Sequence, residues 1–324
     1  MHVYLHKHSY LLMGLLSNLG EKPQSMLAEE LAKEILNETG MLDEVKLEDY
    51  LMVALGVRPC SFFTAPAEFP DGPELGRKID EVSYRNFVNL TKITDMGLRR
   101  KLVSKLKEKL RGAFKSVVYA SPSYKAHLRW AKKLGLRMRE VEIRPTIHEF
   151  YLFRGGETER KLKKLIGIKE NIRKDVFRFA SPSTPKHLLI YPEDLSPEYV
   201  TSIGELLGYP ECCVERYVEN RLSEATNVED RASSQIKESK KRGEKPDPFA
   251  YFVRGFFPCN PICQNAVKIG RRVYEAFRAV DPLLGSCYLE CLRKNLETVE
   301  DYPELIKAHE EKLRERWHAY LGET

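Results

Sequence analysis

The chain predicts an α/β-plus-α architecture: a small basic α/β domain with parallel strands, flanked by an N-terminal helical region and a C-terminal helical domain that carries cysteines. Three observations lead there. Residues 92–187 hold 26 Lys/Arg against 9 Asp/Glu, a local net of +17 in a chain whose total is +6, and strand-like and helix-like patterns alternate within that window. Six of the seven cysteines fall at or after Cys212. With 324 residues, 42% hydrophobic and 31% charged, the chain can bury more than one core and does not have the composition of a disordered protein. The expected divisions are residues 1–92, 93–195 and 196–324.

The apolar run at residues 10–16 is too short to span a bilayer, and no small-residue cleavage site follows it, so a cytoplasmic protein without membrane contact is expected. Leu27, Leu31, Ile35 and Leu36 share one face of a helix that Gly40 can stop; a second short helix at 47–55 ends at Gly56. Pro59, Pro66, Pro70 and Pro73 mark an irregular stretch to about Gly76, in which Cys60 reads as a small buried apolar residue.

In the basic block, Leu98, Leu102, Leu106 and Leu110 recur every four residues, an apolar stripe on a helix closed by Gly112. Residues 115–120 read as a buried strand. Ser121-Pro122 opens a helix that Gly135 ends, and 136–144 is a second strand whose alternation slips near Glu140. Strand, helix and strand in so short a span predict a βαβ unit with parallel strands. Residues 147–153 and 187–191 add strands, with a Lys-rich helix at 158–166 between them. Ala120-Ser121-Pro122-Ser123 is echoed by Ala180-Ser181-Pro182-Ser183. Either copy could hold a phosphate at a helix start, but plain helix initiation is the favoured reading.

In the last third, Ser196-Pro197 opens a helix ended by Gly208, and Pro210 opens the next. Residues 223–248 read as a polar connection or exposed helix. Pro261 begins a long helix and Pro303 a terminal one. On the latter, Leu305, Ile306, His309, Leu313, Trp317 and Tyr320 form a stripe read first as core and second as a dimer seam.

Cys212 and Cys213 lie in the first turn after Pro210, and Cys259 and Cys263 flank Pro261. Helix N-termini favour thiolates. If the two ends meet, the sulfurs can ligate Zn²⁺ or an iron–sulfur cluster, pair as disulfides, or remain buried thiols. Disulfides rank first, because C-x-x-x-C is not a zinc-ribbon spacing and adjacent cysteines seldom share a metal. Gln occurs only at positions 24, 235 and 264. This is a thermophile-like bias, and intracellular disulfides occur in thermophiles.

The basic block is expected to meet a polyanion unless the acidic remainder of the chain covers it. The cations assigned to that surface are Arg99, Arg100, Lys101, Lys105, Lys109, Lys125, Arg129, Lys132, Lys133, Lys161, Lys163 and Lys164. Tyr124, Trp130, Phe150 and Tyr151 are interleaved with them, and no DNA-reading motif is present, so RNA is the expected partner. The leading expectation is a non-catalytic factor bound to a ribosomal subunit or tRNA. Two alternatives stay open: a metal- or thiol-dependent enzyme, for example one that modifies RNA at the cysteine cluster, and a homodimeric scaffold for an acidic protein. The chain has no P-loop, G-x-G-x-x-G, G-x-S-x-G or H-E-x-x-H, and no catalytic residue is assigned.

Gly208-Tyr209-Pro210-Glu211-Cys212-Cys213, followed by Pro258-Cys259-Asn260-Pro261-Ile262-Cys263, resembles an archaeal family of unknown function over roughly the last 130 residues. The resemblance implies an archaeal origin and a shared cysteine-bearing helical unit. It implies no activity.

Overall fold

The computed structural model describes residues 24–91, 93–179, 191–223 and 227–321. Within them the chain is mainly helical around one small sheet. Helix α1 (Gln24–Leu36) buries Ala32 and Ile35. A short helical run follows: α2 (Asp43–Val45), a π-helical segment (Lys46–Leu51) and α3 (Met52–Ala54), ended by Gly56 at φ +70°. All six residues of the π segment are buried, which places Glu48 and Asp49 inside the protein. Arg254 meets them there, at 3.3 Å from Glu48 and 2.5 Å from Asp49, and also reaches Glu68 at 2.7 Å. Burial pushes the Asp49 carboxyl up to about 7 against the pull of that guanidinium.

The sheet corrects the expected topology. Its order is β1 (Cys60–Ala65), β3 (Ile147–Phe153), β2 (Arg137–Arg144), and both pairings are antiparallel. There is no parallel βαβ unit here because residues 115–118 end α5 (Met96–Val118) and do not form a strand. A short apolar run such as Val117-Val118-Tyr119 has the same pattern in a buried helix end as in a buried strand. The exposed Gly112 does not break α5; one interior glycine costs about 1 kcal/mol, too little to end a helix flanked by good helix formers. The missing strand comes from the proline-marked stretch, where β1 pairs Phe63 with Phe150. The β2 irregularity falls between Glu142 and Arg144, just past the expected slip.

Helix α4 (Gly72–Thr91) packs along α5, whose start is capped by Asp95 accepting from the Leu98 N–H at 2.6 Å. Helix α6 (Pro122–Lys133) begins and ends as predicted: Ser121 accepts from the Tyr124 N–H, and Gly135 closes it at φ +64°. Ser121 and Ser123 are buried, which removes the phosphate reading of the first Ser-Pro-Ser copy. The second copy, the strand expected from residue 187 onward and the apolar run at 10–16 lie outside the described residues, Tyr191 apart; Tyr191 is not in a strand.

Helix α7 (Gly156–Phe179) extends well past 166. Helices α8 (Pro197–Leu207) and α9 (Glu211–Leu222) are separated by Gly208 at φ +73°, as the Gly-Tyr-Pro sequence predicts. The presumed polar connection contains α10 (Val228–Lys241), which buries Val228, Ala232 and Ile236 at four-residue spacing. Helices α11 (Gln264–Val280), α12 (Pro282–Glu300) and α13 (Tyr302–Leu321) complete the chain. The core reading of α13 fails in its described part, since Leu305, Ile306 and Leu313 are exposed. The larger of two hydrophobic cores draws residues from all three stretches of the sequence. Among the described residues no helix is long and apolar enough to cross a membrane.

Candidate metal centre and basic surface

The turn from α8 to α9 is tight. A Cβ on Gly204 would lie 2.5 Å from Val214, so only glycine lets these helices approach so closely. That approach sets the first turn of α9, with Cys212 and Cys213, against the loop before α11. Helix α11 begins at Gln264, later than Pro261, and Cys263 is its N-cap residue. Cys259 sits in the preceding loop, where its N–H donates to Cys213 Sγ at 3.4 Å.

The four sulfurs converge. Cys212 Sγ is 4.0 Å from Cys213 and 3.8 Å from Cys263, Cys213 is 3.6 Å from Cys263, and all four lie within 4.8 Å of one another. Sulfurs bound at about 2.3 Å to one tetrahedral zinc stand about 3.8 Å apart. A disulfide needs about 2.0 Å. The disulfides ranked first from the sequence are not formed; all seven cysteines are thiols. The adjacent pair Cys212–Cys213 does contribute both sulfurs to one point, because a helix start lets successive side chains fan around the incoming loop. A cubane cluster binds each thiolate to a different iron and spreads the sulfurs outward, so this spacing fits a single ion better than an iron–sulfur cluster.

The surroundings fit such an ion. Zinc with four thiolates carries a net charge of −2, which a buried site must offset. Arg231 on α10 is 7% exposed and has no carboxylate partner among the described residues. One terminal nitrogen donates to Gln235 Oε1 and the Pro258 carbonyl, each at 2.8 Å, while Nε and Nη2 have no partner. A buried guanidinium lacking an anion beside four metal-spaced thiols is a counter-charge for thiolates. Burial pushes Cys213 upward and Cys259 up to about 11. Burial also opposes ionisation of Cys263, but the Ala266 N–H and the other three thiols outweigh it, and its pKa falls below the usual value. Metal loading would therefore release protons. Cys60 lies apart, buried at the start of β1 and raised to about 12, as an inert thiol should be.

The predicted basic surface divides in two. Arg129 pairs with Glu38, Lys133 with Glu34 and Lys161 with Glu205, so the acidic remainder covers these three, and Lys163 pairs with Glu159 inside the basic block itself. Arg99, Arg100, Lys101, Lys105 and Lys109 stand exposed along α5 with no acidic partner among the described residues; Lys125, Lys132 and Lys164 are likewise exposed and unpaired. The aromatic argument does not survive. Trp130, Phe150 and Tyr151 are buried, and Tyr124 stacks on Tyr119, so none of these four rings is an exposed stacking platform beside the cations.

Sequence reasoning missed the buried Glu48–Asp49–Arg254 group and an aromatic cavity beside Cys213. The only sequence signal of the first was two adjacent acids inside an otherwise apolar helical run.

Residues 162–284 match the family described as "Protein of unknown function (DUF483)". That stretch runs from within α7 into α12 and holds all four clustered cysteines. An uncharacterized protein of Methanocaldococcus jannaschii, MJ1106, is 27% identical over 155 residues, covering 46% of this chain and 80% of that protein. No solved structure matches. The likeness expected from the sequence, to an archaeal family of unknown function, is borne out.

Proposed function

We propose that the protein is a non-catalytic RNA-binding factor of the cytoplasm. In this reading it occupies a ribosomal or tRNA surface through α5, and a structural zinc centre holds its helical body together. One observation carries the proposal: five exposed cations on α5, Arg99, Arg100, Lys101, Lys105 and Lys109, have no acidic partner among the described residues. Cations already neutralised by carboxylates have little to gain from a phosphate, whereas unpaired ones displace condensed counterions when they bind. With the aromatics buried, binding rests on phosphates and helical shape, the features that duplex RNA presents. A cysteine at every corner of the metal site leaves no open position for substrate, which supports a structural ion over a catalytic one.

Self-association through the exposed Leu305, Ile306 and Leu313 stripe of α13 is part of the same reading, and sedimentation velocity of wild type against a Leu305→Glu, Leu313→Glu variant tests it. The central experiment is purification at low salt, with the nucleic-acid absorbance ratio and zinc content read on one sample. Binding of a short RNA duplex by the nucleic-acid-free protein is then measured by fluorescence anisotropy. Salt-sensitive binding with about one zinc per chain supports the proposal. Absence of binding at low salt, or conversion of an RNA base in an activity screen, overturns it.

A further inference from the structure

A cavity of about 280 Å³ opens between α7, α8 and α9, with Cys213 in its wall. Phe62, Tyr199, Tyr217, Phe256 and Phe257 are among the aromatic rings that line it. The acids around it are paired one by one with cations. Glu149 meets Lys169 at 3.1 Å, Glu193 meets Arg173 at 2.7 Å, and Glu229, just outside, meets Arg221 at 2.9 Å. Asp194 is left over. It lines the cavity, and its carboxylate has no hydrogen bond or ion pair among the described residues. Each of the other three carboxylates has spent its charge on a neighbour, so the cavity holds one surplus negative charge within aromatic walls.

We propose that this cavity binds a small organic monocation, an amine or ammonium group on an apolar body, with Asp194 as its counter-charge. Aromatic faces attract a desolvated cation through the ring quadrupole, and a carboxylate without a partner supplies the charge-assisted hydrogen bond that fixes its orientation. An anion would face the unpaired Asp194 carboxylate. A neutral ligand of the same shape would keep the apolar contacts and leave the carboxylate unpaired. Burial holds the Asp194 carboxyl up at about 6, with Arg221 pulling the other way. It is mostly ionised at neutral pH, and a bound cation would bring it down. The inference is independent of the RNA reading, since none of the α5 cations lines the cavity.

Three probes of one shape test it by calorimetry on the full chain at slightly alkaline pH: benzylamine, benzyl alcohol and benzoate. Benzylamine is expected to bind at least about tenfold more tightly than benzyl alcohol, a difference of about 1.4 kcal/mol, and benzoate not to bind. Asp194→Asn should erase the preference for the amine over the alcohol, and Ile203→Trp, which fills the cavity, should abolish binding of both. Equal binding of amine and alcohol by the wild type, no amine binding in the millimolar range, or unchanged amine binding in both variants overturns the proposal. Should Asp194→Asn fail to fold by circular dichroism, the wild-type ranking of the three probes still decides it.

Discussion

Reversing four charges on α5 (Arg99→Glu, Arg100→Glu, Lys105→Glu and Lys109→Glu) tests the reading of its surface quantitatively. The five α5 cations named above would each release about 0.9 counterion on meeting duplex phosphates, so they alone contribute about −4.5 to the slope of log K against log salt, to which the exposed Lys107 and Lys115 can only add. Between about 50 and 200 mM salt, that contribution costs the wild type about 500-fold in affinity. The variant keeps Lys101, Lys107 and Lys115, its slope should flatten by about 3.6, and the same salt step should cost it about 150-fold less than it costs the wild type. These side chains touch no acidic partner, so melting should move by no more than about 0.5 kcal/mol. Substituting the paired Arg129 and Lys133 by Ala is the internal control, because Glu38 and Glu34 already satisfy them. Anisotropy titrations at four salt concentrations read all three slopes. A wild-type slope near zero, or one unchanged in the fourfold variant, would refute the reasoning.

Cys213→Ser should drop zinc from one per chain to none and lower stability by about 4 kcal/mol when free zinc exceeds its Kd a thousandfold; metal analysis and melting check this, and an unchanged melt would count against the centre. His127 is buried between Phe63 and Phe69, and that burial depresses its pKa from 6.5 to about 3. Its contribution to stability is complete above pH 6.5 and is lost as the pH falls toward 3, because the unfolded chain takes up the proton first; the loss is about 2 kcal/mol by pH 5. Urea unfolding across that range and a histidine NMR titration measure it, and a His127 that titrates near 6.5 would contradict the burial argument. Gly270→Ala would bring a Cβ to 2.2 Å from the Phe249 carbonyl oxygen, so α11 must shift, at a cost of about 1–3 kcal/mol or more, and a wild-type melting curve would show that the contact is looser than described.

Local chemistry was legible in the sequence, and long-range partnership was not. Ser121-Pro122 with Gly135, Ser196-Pro197 with Gly208, and Pro210 mark helix ends through hydroxyl caps, preset φ angles and left-handed glycines. These effects act within a turn of the chain and can be read in place. Residues 115–118 were misread because a short apolar run becomes helix or strand according to what buries it. The strand Cys60–Ala65 was overlooked because it exists only by pairing with Ile147–Phe153, far along the chain. Twelve cations looked alike in sequence, yet Arg129 is neutralised by Glu38 from the turn after α1 while Arg99 meets no acid among the described residues. The sequence by itself determined the helix ends, the excess of basic charge and the two thiol-bearing turns. Only the tertiary structure decided which charges stay unpaired, that Asp194 is left over in an aromatic cavity, and that four sulfurs stand one zinc tetrahedron apart. Those outcomes depend on distances across space between residues distant in the chain, and neither spacing nor composition encodes such distances.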